Sequence, residues 1–96
     1  MSRRRVVITG LGMICPVGNS VTEAWANILA GNSGITKISR FDPSRLACRI
    51  AGEVKNFDLT QYLERKEARH MDTFIHYGMA AGIQAMRDCG IQVTPE

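Results

Sequence analysis

The amino-acid sequence predicts an α/β fold in which short buried strands alternate with helices. A β-branched apolar run at residues 5–9 is typical of a strand that is covered on both faces, as in a parallel sheet. A helical pattern follows over residues 20–30, a second short strand over residues 48–54, and a long helical pattern over residues 72–88. The order of elements is therefore β-α-β-α, which belongs to the α/β class.

The first helix has a start signal and a stop signal. Ser20 can accept a hydrogen bond from a free backbone N–H, and Glu23 three residues later completes a capping box. Gly31 is suited to the left-handed conformation that ends many helices. One apolar stripe is expected to pack: Val21, Trp25, Ile28 and Leu29.

The middle of the chain has weaker patterns. Residues 32–47 contain Gly34, Pro43 and several Ser and Asp residues, and are predicted to be a loop. Residues 56–58 are predicted to form a turn, and residues 59–65 a short helix.

The last helix has the clearest pattern. Asp72 is its predicted N-cap and Gly90 its predicted stop. Gly78 and Gly82 lie four residues apart and would let another element approach closely. A helix this apolar is expected to have partners on more than one side. Because two strands and two buried helices do not complete a doubly covered sheet, we expect the chain to be the front end of a longer protein.

Composition limits the function classes. The 96 residues are expected to form part of one domain, with no internal boundary over residues 1–96. The net charge of +3 is too small to require a nucleic acid partner. Three widely spaced cysteines without a C-x-x-C motif favour a reducing cytoplasm over a disulfide framework, and with only two histidines they predict no metal site. No apolar stretch approaches the length of a membrane span.

The glycines that follow the first strand partly match a dinucleotide-binding turn. Gly10 and Gly12 fit the G-x-G-x-x-G spacing, but Cys15 occupies the third position and Pro16 removes an N–H donor. The preferred interpretation is a strand-to-helix turn with tight backbone demands and no cofactor. The arginines at residues 3–5 are interpreted as surface charge rather than as an export signal, because the apolar run after them is too broken.

The cysteines do not form an evident catalytic pair. Cys15 lies far in sequence from both histidines, and a small packed thiol is its preferred role. Cys89 and His76 are 13 residues apart on one predicted helix, so about 20 Å of helix separates them.

A cluster of cations precedes the last helix. Arg65, Lys66, Arg69 and His70 are accompanied by Glu64 and Glu67. From the residues alone, a solvated turn is preferred, and a basic surface for an acidic partner is the alternative.

The chain as a whole resembles the β-ketoacyl-acyl-carrier-protein synthases, and is most similar to the type II elongating condensing enzymes of bacterial fatty-acid synthesis. The similarity begins with VVITGLGM at residues 6–13 and PVGN at residues 16–19. It continues in order through further matching positions: Trp25, Leu29-Ala30-Gly31, Ser33-Gly34-Ile35, Phe41-Asp42, Ala51-Gly52, Arg65-Lys66-Glu67, Arg69, Met71-Asp72, Tyr77, Ala81 and Ala85.

The resemblance implies a thiolase-like fold, of which this chain supplies the first β-α-β-α of the N-terminal half. It implies a decarboxylative Claisen condensation of an acyl thioester with malonyl-acyl-carrier protein, performed by a cytoplasmic homodimer without a cofactor. The family's nucleophilic cysteine and two histidines lie further along a longer chain. Cys15, His70 and His76 do not match them, so no catalytic residue is expected in this chain.

The resemblance also implies a docking surface for acidic acyl-carrier protein just before the long helix. Lys66 and Arg69 match this surface and Arg65 adjoins it, whereas His70 stands where close relatives carry Lys. The alternative from a different class is a stand-alone α/β binding module without catalysis. A reading frame that continues into a cysteine-bearing turn and two histidine motifs would exclude that alternative.

Overall fold

The computed structural model describes residues 3–95. Its elements follow one another in this order: helix α1 (Val21–Leu29), strands β1 (Ile35–Lys37) and β2 (Ile50–Gly52), a 3₁₀ turn (Leu59–Gln61), and helices α2 (Arg65–Ala68) and α3 (Thr73–Cys89). None of the helices in this part of the chain combines the length and apolar character needed to cross a bilayer.

Helix α1 confirms the predicted boundaries and most of the predicted capping. Ser20 Oγ accepts a hydrogen bond from the Glu23 backbone N–H at 3.1 Å. The Glu23 carboxylate accepts from the backbone N–H of Asn19, at 3.2 Å, rather than from that of Ser20. Gly31 has a φ of 73°, so the helix ends in the left-handed conformation that its glycine predicted.

The predicted first strand at residues 5–9 is not formed as a hydrogen-bonded strand. Val6, Val7 and Ile8 are 90%, 72% and 80% exposed. A segment with this composition needs a neighbouring strand to pair with and covered faces to pack against. Within residues 3–95 no strand pairs with this segment, and its side chains are not covered.

The sheet in this part of the chain differs from the predicted parallel arrangement. Strands β1 and β2 pair antiparallel, with Ile35 opposite Gly52 and Lys37 opposite Ile50. The predicted second strand is confirmed at its centre, but the prediction of loop throughout residues 32–47 is wrong because it contains β1. All three residues of β1 are exposed, and three residues are too few to show an alternating pattern.

The two helical predictions for the rest of the chain had different outcomes. The predicted short helix at residues 59–65 is replaced by the 3₁₀ turn, and α2 begins only at Arg65. Helix α3 is confirmed: the Asp72 side chain accepts from the Thr73 N–H at 2.7 Å, and Gly90 has a φ of 70°. Both ends of α3 therefore have the caps that the sequence indicates.

The described chain buries little of its apolar surface. Its hydrophobic core consists of four residues: Ala24, Leu63, Ala68 and Ala80. The accessible surface is 8125 Å², against about 5,500 Å² for a compact folded chain of this mass. The radius of gyration is 17.3 Å, against about 13 Å for a compact chain of similar length.

Two apolar helix faces are open. Trp25, Ile28 and Leu29, which belong to the stripe predicted to pack, are more than half exposed on α1. On α3, a Cβ placed at Gly78 or Gly82 would have no neighbour within 4 Å. The close approach predicted at these glycines is therefore not made within residues 3–95.

Candidate functional site

The glycine turn after residue 9 packs against α3 rather than around an open anion site. A Cβ at Gly12 would overlap the backbone carbonyl oxygen of Ala81, and one at Gly10 would overlap that of Ala85. The glycines are therefore needed for close approach to a helix backbone. This supports the interpretation that they shape the backbone rather than hold a phosphate.

The amides of this turn already have partners. Leu11 N–H donates to Asp88 Oδ2 at 3.0 Å, and Met13 N–H donates to Gln84 Oε1 at 2.9 Å. Gln84 Nε2 also donates to the Asn19 carbonyl at 2.7 Å. Because a phosphate loop must offer free N–H groups, these bonds count against nucleotide binding here.

The cysteines and histidines are not assembled for catalysis. Cys15 is half-buried and exchanges two backbone hydrogen bonds with Gly18, at 2.9 and 3.1 Å. Cys89 Sγ donates to the Met86 carbonyl at 3.2 Å. His76 Nε2 lies 3.0 Å from the Ala68 carbonyl, which can only accept, so this nitrogen carries the proton. No group of three His, Cys, Asp or Glu side chains within residues 3–95 could hold a metal ion.

The predicted cation cluster lies on one side of α2. Arg65 and Arg69 are four positions apart and Lys66 and Arg69 are three apart, so the three side chains are neighbours on the helix surface. Glu67 lies on the opposite side from Arg69 at about 100° per residue. The three cations and His70 are exposed.

These cations are not neutralised within the described chain. The one ion pair among residues 3–95 joins Arg40 Nε to Glu53 Oε2, at 3.7 Å. Arg65, Lys66 and Arg69 therefore present their charge to solvent. Their arrangement can attract an acidic surface but performs no chemistry of its own.

An apolar groove adjoins the cations, and the sequence predictions did not identify it. It has a volume of about 340 Å³ and lies between the 3₁₀ turn and α2. Its lining consists of six residues: Leu59, Thr60, Leu63, Arg65, Ala68 and Arg69. The spacing of Leu59 and Leu63 was a usable signal, because residues four apart share one face of a helical segment.

A polar and aromatic network joins the segments that follow β1 and β2 to helix α3. Arg40 Nη2 donates to Tyr77 Oη at 2.6 Å, and the ring of Phe57 packs edge-on against that of Tyr77, with 5.3 Å between centroids. The Ser39 backbone N–H donates to Glu53 at 3.0 Å and lowers the pKa of that carboxyl below its ordinary value. The Tyr77 hydrogen bond raises the pKa of Arg40.

Comparison with known proteins identifies the family. The model of the "Beta-ketoacyl synthase, N-terminal domain" family matches residues 3–95. The chain is 54% identical over 96 residues to 3-oxoacyl-[acyl-carrier-protein] synthase 2 of Vibrio harveyi, covering 100% of this chain and 23% of that protein. The synthase 2 of Synechocystis sp. is 47% identical over 94 residues, covering 98% of this chain and 23% of the relative.

A solved structure shows the same fold. A chain of "The ishigamide ketosynthase/chain length factor" superposes with a TM-score of 0.84 at 35% sequence identity. The superposition covers 95% of this chain and 23% of the other. The predicted thiolase-like α/β class is confirmed at the level of this N-terminal segment. The chain belongs to the β-ketoacyl synthase family, whose N-terminal domain its residues 3–95 match.

Proposed function

We propose that this chain is the N-terminal part of a 3-oxoacyl-[acyl-carrier-protein] synthase 2. The intact synthase would elongate fatty acids by decarboxylative condensation of an acyl thioester with malonyl-acyl-carrier protein. The observation that carries the proposal is identity of 54% along the whole chain to a relative of that name. The chain spans 23% of that relative's length, so most of the intact protein lies outside the residues described.

In this proposal the chemistry belongs to the rest of the intact synthase. Cys15 is held in a backbone bridge with Gly18, and the His76 ring nitrogen donates to a carbonyl. The contribution of this chain is a docking surface made by Arg65, Lys66 and Arg69, whose charges are exposed. Such a surface raises the encounter rate with an acidic carrier protein more than it raises the rate of the chemical step.

Charge reversal in the intact synthase tests the docking role. We expect Lys66→Glu with Arg69→Glu to raise KM for carrier-bound acyl substrate about tenfold at low salt, because steering by the patch is lost. The kcat, and turnover of a small thioester without a carrier, should not change. The matched control is Arg3→Glu with Arg4→Glu, which changes net charge equally at exposed arginines elsewhere. Unchanged kinetics with carrier-bound substrate would contradict the docking role.

The condensation itself is tested on the protein that the complete reading frame encodes. Release of CO₂ and formation of a 3-oxoacyl-carrier product, both dependent on malonyl-carrier protein, are the expected results. A reading frame without a later cysteine and two histidine motifs would favour the alternative, a small binding module without catalysis.

The proposal extends to compartment and assembly. Three free cysteines suit a reducing compartment, which supports a cytoplasmic location. A homodimer is the state that the family resemblance implies. Fractionation and the mass of the intact protein in solution test the two statements separately.

A further inference from the structure

His70 lies at the end of the cation cluster, and its side chain is exposed. Its backbone N–H donates to the Glu67 carbonyl at 3.2 Å, so the chain continues beyond α2 as a tight turn. Arg40 and Glu53 form the single ion pair of the described chain, residues 3–95, so no carboxylate in this range pairs with the His70 ring. Because a histidine changes its charge between about pH 5 and pH 8, the charge of this surface depends on pH.

The charged neighbours of His70 on α2 have opposite signs. At about 100° per residue, His70 follows Lys66 at about 40° and precedes Glu67 by about 60° around the helix axis, while Arg65 and Arg69 lie further round. A proton on His70 is therefore repelled by Lys66 and attracted by Glu67, and these two effects largely offset each other. A partner that brings additional negative charge would change this balance in favour of the proton.

The titratable groups of the neighbouring elements already have partners of their own. The Asp72 side chain accepts from the first N–H of α3 at 2.7 Å. On α3, His76 is half-buried and donates from Nε2 to the Ala68 carbonyl at 3.0 Å. The 3₁₀ turn, Leu59–Gln61, contains no titratable side chain. His70 is therefore the titratable side chain beside the cluster that is exposed to a partner without being engaged in the chain's own structure.

We propose that His70 makes the affinity of this surface for acidic carrier protein pH-dependent, with binding strengthened when the histidine takes up a proton. The inference rests on the proposed docking role of the cation cluster and adds a regulatory group to it. The three fixed cations supply attraction at every pH at which the protein is folded, and His70 adjusts its strength. Because coupling between two binding events is reciprocal, docking of the carrier protein then takes up protons from solution.

Calorimetric binding of acyl-carrier protein to the intact synthase tests this without any catalytic step. At low salt we expect the affinity to be about fivefold higher at about pH 6 than at about pH 8, the upper end for one exposed ion pair. His70→Lys should bind at both pH values as the unsubstituted synthase does at pH 6, and His70→Gln as it does at pH 8. At about 1 M salt, where the Debye length is about 3 Å, the pH effect should vanish.

Proton uptake is a second readout, which a merely structural effect of the substitutions would not reproduce. Binding heats near neutral pH, measured in two buffers with different ionisation enthalpies, give the number of protons taken up per carrier protein bound. We expect the unsubstituted synthase to take up a fraction of one proton more than either His70 variant. The matched control adds Gln92→His to His70→Gln. It places a histidine at an exposed position beyond the far end of α3, about 25 Å of helix away, and should not restore the uptake.

Two sets of results would overturn the role of His70. One is an equal response to pH in the unsubstituted synthase, His70→Lys and His70→Gln, and the other is restoration of proton uptake by Gln92→His. Charge reversal at Lys66 and Arg69 separates this inference from the docking role. If charge reversal weakens binding while the His70 variants keep the parent's response to pH, only the inference about His70 fails. If charge reversal leaves binding unchanged, the proposed docking role fails as well.

Discussion

Replacement of Gly12 by alanine should detach the N-terminal segment from α3. The added Cβ would overlap the carbonyl oxygen of Ala81, which is part of the helix backbone and cannot rotate away. To relieve the overlap, the segment must move outward. That movement breaks the bonds from Leu11 N–H to Asp88 and from Met13 N–H to Gln84.

The expected destabilisation of this contact is about 3 kcal/mol. Overpacking by one methyl group against a fixed neighbour costs about 1–3 kcal/mol. Each of the two lost hydrogen bonds adds about 0.5–1.5 kcal/mol. Since 1.4 kcal/mol is a factor of ten, amide exchange at Leu11 and Met13 should accelerate about 100-fold.

Hydrogen–deuterium exchange of the intact synthase measures this effect on peptides that cover residues 10–14. Gly82→Ala is the matched control, because a Cβ at Gly82 on the same helix meets no described neighbour, and it should leave these peptides unchanged. Adding Ala81→Gly to Gly12→Ala should not restore protection, because the overlap is with a backbone oxygen. Restoration by Ala81→Gly, or unchanged exchange in Gly12→Ala, would refute the packing argument.

Three further predictions concern the caps and one carboxylate, each measured as the thermal midpoint of the intact synthase. Gly31→Ala should destabilise the folded protein by about 1–2 kcal/mol, because the φ of 73° at this position is unfavourable for a residue with a Cβ. Gly31→Asn should destabilise it less, because asparagine tolerates the left-handed conformation better. Equal losses of stability in the two variants would contradict this prediction. Ser20→Ala should cost about 1 kcal/mol through the lost bond to the Glu23 N–H, and Ser20→Asp should retain most of the stability. Glu53→Gln should lower the midpoint at pH 7. The difference in thermal midpoint between Glu53→Gln and the unsubstituted synthase should close as the pH falls below 4.5, the ordinary pKa of a glutamate, because the pKa of Glu53 in the folded protein is lower still. A difference in midpoint that does not change with pH would contradict this prediction.

Local capping signals predicted the helices well, while strand predictions depended on neighbours. Ser20, Gly31, Asp72 and Gly90 mark ends of α1 and α3 as their residue types indicated. Such caps act within a few residues of the chain, so they can be recognised from sequence. Residues 5–9 have strand composition but no partner in residues 3–95, and β1 formed in a predicted loop because β2 lies beside it.

Part of the candidate site could likewise be predicted from the sequence, and part depended on the tertiary structure. The charges of Arg65, Lys66 and Arg69 could be read from the sequence, and their position before the long helix is confirmed. The sequence could not show that Arg65 and Arg69 border an apolar groove, because the groove depends on how the 3₁₀ turn lies against α2. The 3₁₀ turn itself was predicted as part of a longer helix, so its surface was not anticipated.

By itself, the sequence determined the family, the ends of the two longer helices and the positive charge before α3, because each is carried by residue types at fixed spacing. The tertiary structure decided that Gly10 and Gly12 serve close packing against α3. Only the tertiary structure shows that Gln84 on α3 forms hydrogen bonds with the backbone of Met13 and of Asn19, and so joins the N-terminal turn to this helix. These contacts join residues at least 65 positions apart, and long-range contacts depend on packing that no local pattern encodes.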